Sequence, residues 1–224
     1  ARETESHGKR TVVDVPSVGF TWVKAGDGPT TTKEKTSFFG KKKELLIAEE
    51  GQLRNEFFEV LIHSKTGGIQ GITPFGSRGN LVTQQLAMRV GERVRESGER
   101  WQDPDELAIY TEMEAESIEV VASSPVYGAI KSRGKLVSGG EVMLHFSQTV
   151  QVWRGSRFVR LEIELEHEGE LRADPWKNYI ASRLAWGDEG ATVTRNLHEV
   201  QQKVESKRFA SPLYVQVDNG LHSF

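Results

Sequence analysis

The residues best suited to chemistry lie close together, between Leu171 and Trp186, where Asp174, Trp176, Asn178, Tyr179, Arg183 and Trp186 follow one another along a short stretch. That mixture suits carbohydrate. An aromatic face stacks on the C–H surface of a sugar ring, while carboxylate, amide and guanidinium groups hydrogen-bond its hydroxyls. These six are the candidate carbohydrate-binding residues. A second reading of the stretch stays open, in which Trp176 and Trp186 plug the core beneath a long loop. Arg78, beside Gly76 and Gly79, is a lesser candidate on a loop surface.

Other catalytic patterns are weaker. The histidines at positions 7, 63, 145, 167, 198 and 222 are scattered, with no His-Glu-x-x-His among them. There is no Gly-x-Ser-x-Gly, phosphate loop or dinucleotide fingerprint. Glu112, Glu114 and Glu116 recur at a spacing of two, which could hold a hard cation, although a wet strand face explains them better. Lys41-Lys42-Lys43 lacks the interleaved aromatics or glycine cradle of a phosphate or nucleic-acid site and reads as a solvated strand end. No catalytic residue and no metal ligand is assigned.

Composition narrows the partners. In 224 residues, 37% are hydrophobic and 27% charged, which describes a globular chain long enough to bury a core. A formal net charge of −3 gives no electrostatic footprint for nucleic acid. No apolar run approaches the roughly 18 residues that cross a bilayer, so no membrane is expected. The absence of cysteine excludes disulfides and slightly favours a reducing, cytoplasmic location.

The elements that must position these residues are strands. From Asn55 to His63 one face carries Phe58, Val60 and Ile62, the other Phe57, Glu59, Leu61 and His63. That period of two describes a strand with one buried face. Ser64 to Gly68 supplies a turn, and Ile69 and Ile72 begin the return of a hairpin. A second hairpin spans Glu141 to Glu166. Val142, Leu144, Phe146, Val150 and Val152 share one face of its first strand, interrupted by Gln148, and Arg154-Gly155-Ser156 turns the chain. Val159, Leu161, Ile163 and Leu165 then face inward, with Arg160, Glu162, Glu164 and Glu166 facing out. Leu81 to Val94 fits both a helical stripe and a strand, and Ala191 to Arg208 is equally open. Residues 1–10 read as frayed, Thr11 to Lys24 as a broken strand, Ala25 to Lys35 as a linker, and Gly91 to Asp105 as a loop. The expected fold class is all-β, with antiparallel sheets packed face to face and little helix.

A resemblance sharpens this. Leu53-x-Asn55-Glu56-x-Phe58-x-Val60, followed by Thr66-Gly67-Gly68-Ile69, resembles the opening of the large C-terminal β-domain of family 38 glycoside hydrolases, the α-mannosidases. Val13 to Phe20, Asn80-Leu81 with Gln84-Gln85-Leu86, and Trp153 to Ser156 are similar to further landmarks of that region. The likeness is spread over residues 11–190, and it also tips Leu81 to Val94 towards strand. It implies an antiparallel β-supersandwich, as in galactose mutarotases. Residues 1–35 would then be an N-terminal strand and linker, a remnant of a preceding small β-domain, and 36–224 the supersandwich domain, truncated at its C-terminus. The chain begins without methionine and ends on what reads as a strand, a turn and the start of another strand, so a piece of a longer polypeptide is expected.

In such enzymes the zinc ion and the nucleophilic aspartate belong to a separate domain, so the resemblance carries no cofactor and no catalytic residue onto this chain. It implies a scaffold for the catalytic domain of the same polypeptide, lending contacts to a mannoside-like carbohydrate. Two alternatives stand beside it. One is an autonomous mutarotase-type epimerase, for which His145 with Glu162 or Glu164 is the only pairing of note. The other is a stand-alone carbohydrate-binding or interaction module.

Overall fold

The computed structural model describes residues 2–6, 9–13, 45–76, 79–93, 107–167, 177–187, 189–197, 200–205, 209–211, 213–218 and 220. Among them the chain is all-β, built from antiparallel sheets. Contacts group it into two units, Ala1–Ala185 and Trp186–Phe224.

Two sheets make up the body of the first unit. One has four strands in the order β12-β11-β10-β9, where β9 is Glu112–Ser123, β10 Tyr127–Ser138, β11 Glu141–Trp153 and β12 Val159–Glu166. The other has seven. Its order is β13-β7-β6-β5-β4-β3, from β3 at Ala48–Glu49 through β4 Gln52–Arg54, β5 Phe58–Ile62, β6 Ile69–Pro74 and β7 Val82–Glu92 to β13 at Tyr179–Trp186. The seventh strand, β8 (Ala108–Tyr110), pairs with β7.

The inner faces of these two sheets bury each other. Leu53, Phe58, Val60, Ile62 and Ile69 from the larger sheet pack with Ile130, Val150 and Val152 from the smaller one. A second cluster joins Leu86 and Met88 to Met113, Leu136, Leu144 and Phe146. Each side chain removed from water in this way contributes about 1.5–3 kcal/mol. The two hairpins expected from alternation are present. β5 pairs antiparallel with β6, setting Val60 opposite Ile72, and β11 pairs with β12, setting Val150 opposite Leu161. Arg160, Glu162, Glu164 and Glu166 all face solvent. Within the Leu81 to Val94 stretch, Val82–Glu92 form the strand β7, because Leu86 and Met88 meet a flat sheet face, where a helical stripe would find no partner.

Side chains also tie the hairpins together. Asn55 donates from Nδ2 to the Trp153 and Ser156 carbonyls at 3.0 and 2.8 Å, and its Oδ1 accepts from the Phe57 and Phe58 amides. One amide thereby satisfies four backbone groups between the start of β5 and the β11–β12 turn. The turn after β5 brings Gly67 close against the opposite sheet at φ 75°. A Cβ there would lie 2.7 Å from the Ser132 Cβ, so glycine is needed for space as well as for backbone conformation.

Several expectations are corrected. Val142 does not face inward: it is 49% exposed, because a bulge pairs Leu136 with Leu144 but Val137 with Val142. The extra residue, Met143, packs on the core in its place. Gln148 does not interrupt the inner face; it is fully buried within it. Within residues 1–10, read as frayed, the described ones are paired: β1 (Arg2–Ser6) runs antiparallel to β2 (Lys9–Val13). The polar composition suggested fraying, but paired backbones satisfy one another whatever the side chains. Of the Thr11 to Lys24 strand only the part in β2 is described, and Ala25 to Lys35, Lys41 to Lys43 and Arg78 lie outside the described residues.

In the second unit, β14 (Thr192–Leu197) lies between β15 (Val200–Lys203) and β16 (Val215–Asp218). The Ala191 to Arg208 stretch therefore contributes strands, and Asn196 and Val217 are buried.

Candidate functional site

Alternation along β7 and β13 sets the candidate site on the outer face of the larger sheet. Ile180 packs on the core and Ser182 bonds the buried Gln84, so Tyr179 and Arg183 project from the opposite face of β13. On β7, Leu86 and Met88 enter the core, while Ala87 and Arg89 lie on the opposite face and are themselves buried. Thr111 locks β8 against this edge. Its amide donates to the Met88 carbonyl, and its hydroxyl accepts from the Met88 amide, both at 2.9 Å. The register then sets Tyr110 opposite Arg89.

Four side chains meet as a result. The hydroxyls of Tyr110 and Tyr179 share a hydrogen bond of 2.7 Å, with their rings edge to face. The Arg183 guanidinium sits 4.5 Å from the Tyr110 ring centroid, and that of Arg89 lies 6.0 Å from the Tyr179 ring. Both are within cation–π reach. Arg89 is 1% exposed and its charge is met by Glu92 at 2.9 Å, as a buried cation requires. Arg183 is exposed, and among the described residues it has no carboxylate partner. Burial raises the pKa of the Tyr110 phenol. The hydrogen bond and charge of Tyr179 push it further, and the two arginines pull it back. Tyr110 is therefore a neutral phenol at physiological pH.

Arg183 also belongs to an adjoining groove of about 520 Å3. Thr66, Thr83, Gln85, Thr111 and Glu112 line it, supplying hydroxyls, one amide and one carboxylate. With the guanidinium and the aromatic pair beside it, this edge offers the groups that bind sugar hydroxyls. A separate cleft of about 430 Å3 lies at the other end of the sheet, near Leu45, Arg54, Phe75 and Arg154. There Arg54 stacks 4.8 Å from the Phe75 ring centroid.

The sequence-derived candidates are distributed as follows. Tyr179 and Arg183 come together with Tyr110 and Arg89. Asn178 is half-buried in the turn entering β13. Trp186 ends β13, falls in the second unit and is 38% exposed, so it does not plug the core. Asp174 and Trp176 lie outside the described residues. Sequence reasoning missed Tyr110, Arg89 and the groove. An arginine set among the apolar Leu86, Met88 and Val90 was the signal available for Arg89. His145 is exposed and opposite Glu166, on the solvent face of the smaller sheet, with Glu164 two residues before Glu166 and opposite Ser147. Glu114 and Glu116 reach Lys135 at 3.8 and 3.7 Å, and Glu112 is exposed, as a wet strand face requires. Among the described residues no three His, Asp or Glu side chains gather as a metal site. No family model matches the chain, and no curated protein or solved structure matches it either.

Proposed function

We propose that this chain is the non-nucleophilic β-sandwich domain of an α-mannosidase-like glycoside hydrolase, supporting a catalytic domain of the same polypeptide and lending contacts to carbohydrate. The observation that carries the reading is the meeting of Arg183 with Tyr110 and Tyr179 at the edge of a groove lined by polar and apolar side chains. Stacking surface and hydrogen-bonding groups converge there, on rigid strands that need little rearrangement to receive a ligand. The first hairpin also carries the landmarks of the family resemblance, Asn55 just before β5 and Gly67-Gly68 in its turn. The epimerase reading finds less support, because His145 and its neighbouring glutamates lie on an open charged face.

Calorimetric titration of the chain with methyl α-mannoside and short manno-oligosaccharides tests the proposal. Saturable binding that weakens at least tenfold in Arg183→Ala supports it. Wild-type protein that takes up none of these ligands contradicts the carbohydrate contact.

A further inference from the structure

The carbohydrate reading leaves open which sugar the groove prefers, and the Tyr110–Arg183 cluster bears on that choice. Two phenols joined by one hydrogen bond use one of their two protons, so the pair retains one O–H able to donate. Burial keeps the Tyr110 phenol protonated, so it brings no charge of its own to neutralise a cation. Arg89 spends its charge on Glu92, whereas Arg183 stands exposed, with no carboxylate partner among the described residues. Stacking on Tyr110 holds its guanidinium plane in place without occupying the N–H fork. A preset fork beside a spare phenol proton is complementary to a planar anion with two oxygens.

We propose that the groove selects an acidic saccharide, a uronic acid whose carboxylate docks on Arg183 and a tyrosine hydroxyl. This rests on the carbohydrate reading above and specifies its ligand. The sugar hydroxyls then lie along Thr83 and Gln85. Glu112, the carboxylate of the groove, repels the acid and sets the direction in which the ligand enters.

The test compares methyl α-mannopyranoside with its uronate, in which a carboxylate replaces the primary hydroxymethyl group, by calorimetry at low and high salt. Wild-type protein should bind the uronate about tenfold more tightly, with a preference that shrinks as salt screens the contact. Arg183→Gln should reduce the affinity ratio to about one, and Arg183→Lys should keep part of it, because it retains charge without the fork. Equal affinity for the two sugars in the wild type, or a preference that survives Arg183→Gln, overturns the acidic-ligand assignment and leaves the carbohydrate site standing. Failure to bind either sugar overturns both.

Discussion

The side-chain amides of Gln84 and Gln148 hydrogen-bond each other reciprocally between the two sheets, Nε2 to Oε1 at 3.0 Å in both directions. Each is at most 1% exposed. Their remaining N–H groups reach the Ser182 hydroxyl and the Gly67 carbonyl, so a polar clamp sits inside an otherwise apolar interface. Through Ser182 it also fixes the facing of β13, and hence the side from which Arg183 projects.

The clamp makes its members strongly interdependent. Gln148→Leu strands the Gln84 carbonyl oxygen and the Gly67 carbonyl and should cost about 1–3 kcal/mol in denaturant unfolding. The double variant with Gln84→Leu should cost less than the two single losses together, by about 0.5–3 kcal/mol. Additive losses would mean that the pair contributes nothing as a pair.

Glycines 67 and 51 separate two kinds of strain. Both have positive φ, at 75° and 71°, but a Cβ on Gly51 meets nothing within 4 Å. Gly51→Ala should lose about 1–2 kcal/mol, the cost of left-handed backbone alone. Gly67→Ala adds the collision with Ser132 and should lose a further 1–3 kcal/mol or so. Equal losses by chemical denaturation would show that the sheets yield freely there.

Tyr110 offers a spectroscopic reading of the cluster. Its raised pKa means that the folded state holds its proton after an unfolded tyrosine has lost its own. Stability from this source is therefore complete below the ordinary tyrosine pKa and declines as pH rises through the folded value. Tyrosinate absorbance should show a late-ionising phenol. Tyr179→Phe should bring its midpoint down by removing the hydrogen bond and the Coulombic effect of the Tyr179 hydroxyl. Arg183→Gln should move it up, because a favourable charge is lost. An unchanged midpoint in both variants would contradict the contacts described.

The strands with one wet face were legible in the sequence. Phe58-Glu59-Val60-Leu61-Ile62 and Val159 to Glu166 alternate so regularly that a one-residue slip would bury charges. Alternation fails as a guide where a bulge shifts the period, which is why Val142 was misplaced. It also fails where polar residues pair in the core: Gln84 and Gln148 are acceptable there because each is the other's partner, a fact invisible from either strand alone. The site was half legible. Tyr179 and Arg183 share a strand with visible turn signals before it, but Tyr110 and Arg89 reach them through strand pairing across long separations. The groove is a property of that pairing and has no local signature.

The proposed saccharide site is the face of β7, β8 and β13 that carries Tyr110, Tyr179 and Arg183. Backbone amide shifts of isotope-labelled protein, followed during titration with methyl α-mannopyranoside and its uronate, test this most directly. The predicted result is saturable shifts concentrated on Thr83–Ala87, Tyr110–Glu112 and Arg183–Ala185. Shifts centred instead on the cleft at Leu45, Arg54 and Phe75, or none with either sugar, would contradict it.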